Sequence, residues 1–183
     1  MGRQPCRNPG PYGLQQLRVI DRDRIEAHNL STQPWQQQDI GAPKVRILGN
    51  ILYRAVGNRL DARHTELHAS NAQQLLQESA VVVDAFDNRE AREAIGQAAM
   101  ALHIRCLHIA LGGRGDYGCG LWDQDYITEG RTPAYDGCNY PLTRPLVLLV
   151  VAAAAEVIHT YLTDRTCHGF EVTLRDLHLW KST

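Results

Sequence analysis

The chain has 183 residues, of which 44% are hydrophobic, and this is enough to bury one core. Its 19 basic and 20 acidic residues give a formal net charge of −1, which excludes a charge-driven role on nucleic acid or an anionic membrane. We therefore expect one domain over residues 14–183, with no nucleic-acid or membrane partner, preceded by an extended arm at residues 1–13.

Cysteine spacing and the N-terminal segment indicate the compartment. The five cysteines include no C-x-x-C pair, so neither a disulfide framework nor a four-thiolate zinc site is indicated. The first 13 residues lack the apolar run of a secretory signal. We expect a cytoplasmic protein with free thiols and no zinc.

The pattern of apolar residues predicts alternating strands and helices. A strand over 14–21 ends on Asp21, and an irregular polar segment over 22–43 follows it. After Pro43 an apolar stripe predicts a helix that stops at Gly57 and Asn58. Further along, we predict strands at 64–68, 80–84 and 106–111, and helices at 72–76 and 88–103.

This alternation predicts an α/β fold with a Rossmann-like, mostly parallel sheet, because successive parallel strands need crossover helices. Beyond Gly112 the sequence changes to a hairpin around Y-G-C-G-L-W, a polar loop, a helix from about Pro145 to Leu162 and a closing strand F-E-V-T-L. The run L-V-L-L-V-V-A-A-A-A leaves this helix no polar face. We expect it to be buried all round, partly against a second subunit.

Four ordered blocks of sequence carry a resemblance to a known family. They are V-I-D-R-D-R-I-E-A-H-N-L-S-T-Q-P-W at 19–35, D-I-G-A-P-K-V at 39–45, V-V-V-D-A-F-D-N at 81–88, and C-N-Y-P-L-T-R-P-L-V-L-L-V-V-A-A-A-A-E-V-I at 138–158. Together they resemble the ThiF/MoeB-like, ubiquitin-activating-enzyme-like adenylating family. The resemblance implies ATP·Mg-dependent adenylation of the C-terminal glycine of a ubiquitin-like or sulfur-carrier protein, commonly by a homodimer.

The resemblance also implies roles for individual residues. Asp21 would accept hydrogen bonds from the ATP ribose hydroxyls, as acidic residues at this strand end do in dinucleotide folds. Lys44 would contact the triphosphate and stabilise the leaving pyrophosphate. Asp87 would hold Mg²⁺ near the phosphates, so Lys44 and Asp87 are the expected catalytic pair. The remaining nucleotide-pocket positions are Asp23, Asn29 and Gln33.

Simpler structural roles compete with each of these assignments. Asp21 caps a loop in the alternative interpretation, and Lys44 is a solvated side chain in the first turn of a helix. Asp87 would be the N-cap of the helix that begins at Asn88. Asn29 and Gln33 are also typical of turns.

The sequence departs from the family pattern in two places that bear on ATP. Family members begin with a strand, a G-x-G-G-x-G loop and a helix that cradle the phosphates, and these 183 residues contain no such unit. Thr32 occupies the position of a family arginine. Some family members carry the activated partner or its sulfur on a loop cysteine, and Cys138 or Cys119 is the candidate here, with a structural thiol as the more frequent alternative.

These departures lead to two competing functions. One is an adenylating domain that is shortened or takes its phosphate loop from another chain, and the other is a non-catalytic binding or scaffolding subunit. We expect little pyrophosphate exchange from the isolated chain. Because the family's first strand is missing from these residues, we expect one of three outcomes. The strand at 16–21 pairs directly with 81–84, another chain donates a strand, or the protein folds poorly. We rank donation or truncation ahead of direct closure.

Overall fold

The computed structural model describes residues 16–112, 115–123 and 143–174. These residues form two compact units, the first from 16–30 and 34–67 and the second from 31–33 and the described residues after 67. The predicted arm at 1–13, the polar loop and Cys138 lie outside the described residues.

The first unit is a parallel strand–helix–strand crossover. It contains β1 (Arg18–Ile20), α1 (Lys44–Val56) and β2 (Asp61–Arg63). The two strands pair in parallel with Arg18 opposite Asp61, and Nε of Arg18 contacts Oδ2 of Asp61 at 2.7 Å. The guanidinium lowers the pKa of the Asp61 carboxyl, so this ion pair reinforces the strand register.

The strand predicted at 64–68 is wrong, because β2 ends at Arg63. A turn follows at once: the Thr65 N–H donates to the Arg63 carbonyl at 3.1 Å, and the His64 ring lies 2.9 Å from the Arg22 carbonyl oxygen. These contacts hold residues 64–65 out of the strand ladder.

Helix α1 follows Pro43 and ends at Gly57, as predicted. Gly57 has φ 71°, and its N–H donates to the Tyr53 carbonyl at 2.8 Å. This left-handed cap suits glycine, which has no Cβ to strain. Val45 is buried, but Ala55 is exposed, so the predicted apolar stripe ends earlier than expected.

The second unit holds a mixed four-stranded sheet. Its elements are α2 (Ala72–Leu76), β3 (Val82–Asp84), α3 (Arg89–Ala101), β4 (Cys106–Leu111), β5 (Tyr117–Trp122), α4 (Thr143–Asp164) and β6 (Phe170–Thr173). The sheet order is β3-β4-β5-β6, with β3 and β4 parallel and the other pairs antiparallel. Parallel crossovers followed by a hairpin, a long helix and a closing strand confirm the predicted α/β fold class.

Helix α3 buries an alanine-rich face and has a well-defined start. Its buried residues are Ala91, Ala94, Ile95, Ala98 and Ala99. The Asn88 side chain accepts the Ala91 N–H at 2.9 Å, so Asn88 is the N-cap and the helix begins at Arg89. The alternative interpretation of Asp87 as the cap is therefore wrong.

One face of α4 packs on β5 and β6. Leu107, Trp122, Ala154 and Tyr161 form a buried cluster, in which the rings of Trp122 and Tyr161 lie 4.9 Å apart. A Cβ on Gly118 would meet Cγ2 of Val150 at 2.5 Å. Glycine at this strand position therefore allows the close approach of the helix.

The opposite face of α4 is exposed, so the helix is not buried all round within the chain. Leu146 and Val150 are buried, whereas Leu148 is 63% and Val151 is 53% exposed. The helix is also longer than the apolar run suggests, and Arg144–Asp164 is long and apolar enough to cross a membrane by length and composition alone, a test that core helices also pass. The predicted second subunit against this face stays a prediction.

Two strands have an open edge among the described residues. In the first unit β1 has one neighbour, β2, and in the second β3 has one neighbour, β4. The Asp61 N–H donates to Leu17 O at 2.9 Å, and the Val82 N–H donates to Arg105 O at 2.9 Å. Since a parallel ladder uses alternate residues of each strand, the amides of Ile20 and Val83 face the open edges.

Candidate nucleotide site and a buried polar cluster

Asp21 lies at the carboxyl end of β1, where backbone contacts fix it. Its N–H donates to the Arg63 carbonyl of β2 at 3.1 Å. Its Oδ1 accepts the Asp23 N–H at 2.7 Å, which closes a tight turn directly after the strand. The carboxylate is thus held at a strand end, the position where nucleotide-binding α/β folds place a ribose ligand.

Lys44 meets the same turn from the start of α1. Its Nζ lies 2.9 Å from Oδ2 of Asp23, and its own N–H donates to the Asp23 carbonyl at 3.0 Å. The Lys44 side chain is 15% exposed and that of Asp23 is 53% exposed. Lys44 is therefore a largely covered, paired cation, and the alternative of a solvated lysine is wrong. Asp21, Asp23 and Lys44 form one constellation in the first unit.

The pKa of Asp21 is raised above its ordinary value. Burial of the carboxyl is the largest cause, and the negative charge of Asp23 adds to it. The hydrogen bond from the Asp23 N–H and the charge of Lys44 act in the opposite direction. Burial thus makes the ionised carboxylate costly.

Asn29 has a structural role in its own turn. The side chain is buried, and its Oδ1 accepts the Glu26 N–H at 3.0 Å while its own N–H donates to the Glu26 carbonyl at 3.0 Å. These bonds support the alternative that Asn29 forms a turn. Gln33 belongs to the second unit and is half-buried there.

Asp87 is exposed after β3 in the second unit. Among the described residues its carboxylate has no hydrogen-bond or ion-pair partner, in contrast to Asp84 three residues earlier. A free carboxylate supplies the hard oxygen that Mg²⁺ takes from proteins, usually alongside water and phosphate oxygens. The donor chemistry of Asp87 therefore fits the expected metal ligand.

A second polar cluster lies inside the second unit, and the sequence did not predict it. His108 Nδ1 lies 2.8 Å from Asp84 Oδ2, and both side chains are buried. Arg92 approaches the same carboxylate oxygen at 3.4 Å and donates to the Ile109 carbonyl at 2.6 Å. On the other side of the ring, His108 Nε2 lies 3.4 Å from Asp123 Oδ1.

Cys106 completes this cluster. Its N–H donates to Asp123 Oδ2 at 2.7 Å, and its thiol lies with His108 and Asp123 so that the three ligand atoms are within 4.8 Å of one another. Burial, followed by the charges of Asp123 and Asp84, raises the pKa of the Cys106 thiol well above its ordinary value. The spacing of Cys106 and His108, two residues apart on one strand, is the sequence signal that places both on one face.

Comparison with known proteins identifies relatives of the whole fold. The sequence model described as the ThiF family matches residues 10–182. A sulfur carrier protein adenylyltransferase of Thermus thermophilus is 32% identical over 93 residues, which is 49% of this chain and 34% of the relative. This relative is thus covered over about a third of its length.

Solved structures show the same fold at low sequence identity. The crystal structure of E. coli MccB has a TM-score of 0.70 and 13% identity, with 91% of this chain and 54% of that chain covered. MccB with MccA-N7isoASN gives 0.71 and 10%, covering 91% and 56%, and PaaA gives 0.66 and 16%, covering 91% and 55%. The chain therefore spans about half the length of these structures.

Proposed function

Because the chain belongs to the ThiF family, we propose that it binds ATP and adenylates the C-terminal glycine carboxylate of a small ubiquitin-like or sulfur-carrier protein. The observation that carries the proposal is the constellation of Asp21, Asp23 and Lys44. Here the Asp21 carboxylate is fixed at the end of β1, and the largely covered Lys44 ammonium contacts the turn that follows it. The name of the Thermus thermophilus relative and the MccB–MccA pair support a small protein or peptide as the partner.

Each group of the constellation has a distinct task in this proposal. Asp21 accepts hydrogen bonds from the ribose hydroxyls: its Oδ1 accepts the Asp23 N–H in the turn, and a carboxylate has the capacity to accept further bonds. Lys44 moves from Asp23 to the phosphates, because the multiple charges of the triphosphate attract the ammonium more strongly than one exposed carboxylate does. Asp23 then positions the lysine when no nucleotide is bound.

The reaction needs no proton transfer from the protein. The carrier carboxylate is ionised at neutral pH, and its oxygen attacks the α-phosphorus of ATP. The new bond joins that oxygen to phosphorus, and the bond to the bridging oxygen of the β-phosphate breaks, so pyrophosphate leaves with the electron pair. Lys44 stabilises the negative charge that develops on this leaving group.

Bound Mg²⁺ would supply further charge neutralisation at the phosphates. Asp87 is the residue we assign as its ligand. The assignment rests on its place in D-A-F-D-N and on its free carboxylate. Asp87 therefore contributes through charge alone and moves no proton.

The test combines ATP binding with chemistry. Calorimetry of ATP·Mg binding is compared for the wild type, Lys44→Ala and Asp21→Asn, with Arg46→Ala as the matched control because Arg46 is an exposed cation in the same turn of α1. We expect both site variants to lose about 2–4 kcal/mol of binding or of transition-state stabilisation and Arg46→Ala to bind like the wild type. Failure of the wild type to bind ATP would overturn the proposal.

Pyrophosphate exchange into ATP separates the two functions. The assay adds a sulfur carrier protein with a C-terminal glycine and, in parallel, the same protein without that glycine. Exchange that requires the glycine supports adenylation. These 183 residues contain no phosphate-binding loop, so by themselves they are expected to bind ATP with little exchange. No exchange when another chain supplies that loop would contradict catalysis and favour the alternative of a non-catalytic binding subunit.

A further inference from the structure

The buried cluster around His108 contains three side chains of different metal-ligand chemistry on two adjacent strands. Cys106 and His108 lie on β4, and Asp123 directly follows β5, which pairs with it. Their ligand atoms lie within 4.8 Å of one another. A thiol, an imidazole and a carboxylate together form a donor set that suits zinc, which binds sulfur, nitrogen and oxygen ligands alike.

The orientation of His108 directs Nε2 toward Asp123. Asp84 Oδ2 lies 2.8 Å from Nδ1 and accepts its proton, so we assign the neutral tautomer with a lone pair on Nε2. Metal-bound histidines are commonly oriented by a carboxylate on the other ring nitrogen in this way. Asp84 is thus placed to support a ligand instead of acting as one.

The space between His108 and Asp123 fits a cation. Nε2 and Oδ1 are 3.4 Å apart, longer than the usual hydrogen bond of about 2.7–3.2 Å. With zinc bonds of about 2.0–2.3 Å, tetrahedral ligands lie roughly 3.3–3.8 Å from each other. Two acceptor atoms that face each other at this distance repel unless a proton or a metal ion lies between them.

The charges in the cluster balance around a divalent ion. Arg92 contacts Asp84 and cancels its charge within the second unit. A Zn²⁺ ion would cancel the Asp123 carboxylate and a Cys106 thiolate, so the buried group would carry no net charge. The Asp123 side chain is 31% exposed, so one member of the cluster contacts solvent.

From these observations we propose that Cys106, His108 and Asp123 bind one Zn²⁺ ion, with water as a fourth ligand and Asp84 as the carboxylate that orients His108. On binding, a bond forms between zinc and Cys106 Sγ, and the thiol proton passes to solvent. This proposal departs from the expectation of no zinc, which rested on the lack of C-x-x-C pairs in the sequence. The proposal uses none of the nucleotide groups, so it is independent of the proposed function.

Cobalt titration of the metal-free, untagged full chain tests the site. Co²⁺ in a tetrahedral site with a thiolate gives a near-ultraviolet sulfur-to-metal band and strong visible bands. We expect both at one equivalent, with Zn²⁺ displacing Co²⁺. Cys106→Ser should remove the sulfur band and His108→Gln should weaken binding, whereas Cys119→Ser, on the neighbouring strand, should behave like the wild type. Absence of the bands in the wild type would overturn the proposal and leave a proton between His108 and Asp123.

Two further measurements keep the result clear if a variant fails to fold. X-ray absorption of the zinc-loaded wild type should show one sulfur and otherwise nitrogen or oxygen neighbours, and a spectrum with no sulfur contradicts the site. Asp84→Asn should lower zinc affinity by about 10–100-fold without removing the sulfur band. Unchanged affinity in that variant would contradict the orienting role of Asp84.

Discussion

His108 Nδ1 and Asp84 Oδ2 are 2.8 Å apart, and this buried pair links the parallel strands β3 and β4 through their side chains. Arg92 of α3 reaches the same carboxylate and also donates to the Phe86 carbonyl at 2.5 Å. One carboxylate therefore links two strands and a helix. Removal of one member of such a group leaves the others buried without compensation.

Asp84→Ala should destabilise the fold by about 3–5 kcal/mol, because His108 and Arg92 lose their buried partner. Asp87→Ala is the matched control: it removes an exposed carboxylate three residues away and should change stability by less than about 0.5 kcal/mol. Urea unfolding followed by circular dichroism measures both. Equal stability of the two variants would contradict the assigned role of Asp84.

Asp21→Asn should raise the thermal stability at neutral pH while it weakens ATP binding. The pKa of Asp21 is higher in the folded chain than in the unfolded chain, so the folded state binds this proton more tightly. The stability that Asp21 contributes therefore falls as the pH rises from its pKa in the unfolded chain to its pKa in the folded chain. At neutral pH the ionised Asp21 carboxylate lowers the stability of the fold. Asparagine keeps the acceptor for the Asp23 N–H and removes the charge.

The pH dependence of melting provides the check on Asp21. The stability gain of Asp21→Asn should be largest at neutral pH and should shrink as the pH falls below the ordinary aspartate pKa, where the wild-type carboxyl is protonated in both states. A variant that melts below the wild type at neutral pH would show that Asp21 is a structural cap.

Hydrogen exchange should distinguish alternate amides on the two edge strands. Val19 and Val82 face paired neighbours and should exchange slowly, whereas Ile20 and Val83 face open edges and should exchange rapidly. The measurement is amide exchange of the purified chain by nuclear magnetic resonance. Slow exchange at Ile20 and Val83 would contradict the open edges and indicate that a further strand pairs with them.

Leu148→Lys should alter self-association without unfolding the chain, because Leu148 lies on the exposed face of α4. Val150→Lys is the comparison, since a lysine at this buried position places an unpaired charge in the core and should unfold the protein. Analytical ultracentrifugation and circular dichroism separate the two effects. An unchanged dimer in Leu148→Lys would contradict pairing through this face.

Much of the fold could be predicted because the spacing of the apolar residues and the residues that end the helices are clear in the sequence. Gly57 ends α1 through its left-handed conformation, and the alanine spacing of α3 defines its buried face. The short strand β2 was misplaced because D-A-R carries no apolar alternation. It pairs with β1 through a backbone ladder and an ion pair between residues 43 positions apart. Local sequence does not encode that contact.

The sequence singled out Asp21, Asp23 and Lys44, which lie together in the first unit, whereas it did not single out the buried cluster. Asp21 and Lys44 lie in sequence motifs that predict their roles. The structure brings Lys44, at the start of α1, to Asp23 in the turn after β1. His108 and Cys106 are two of many scattered histidines and cysteines, and Asp123 comes from the next strand. Their meeting is a product of strand register, which pairs Leu107 with Trp122.

The central claim is that the turn at the end of β1 holds ATP, and amide chemical shifts on addition of ATP·Mg test it most directly. Saturable shifts are expected at Asp21, Asp23 and Lys44, and these should be lost in Lys44→Ala but not in Arg46→Ala. Unchanged shifts at these three amides while ATP binds elsewhere, or no binding at all, would contradict it.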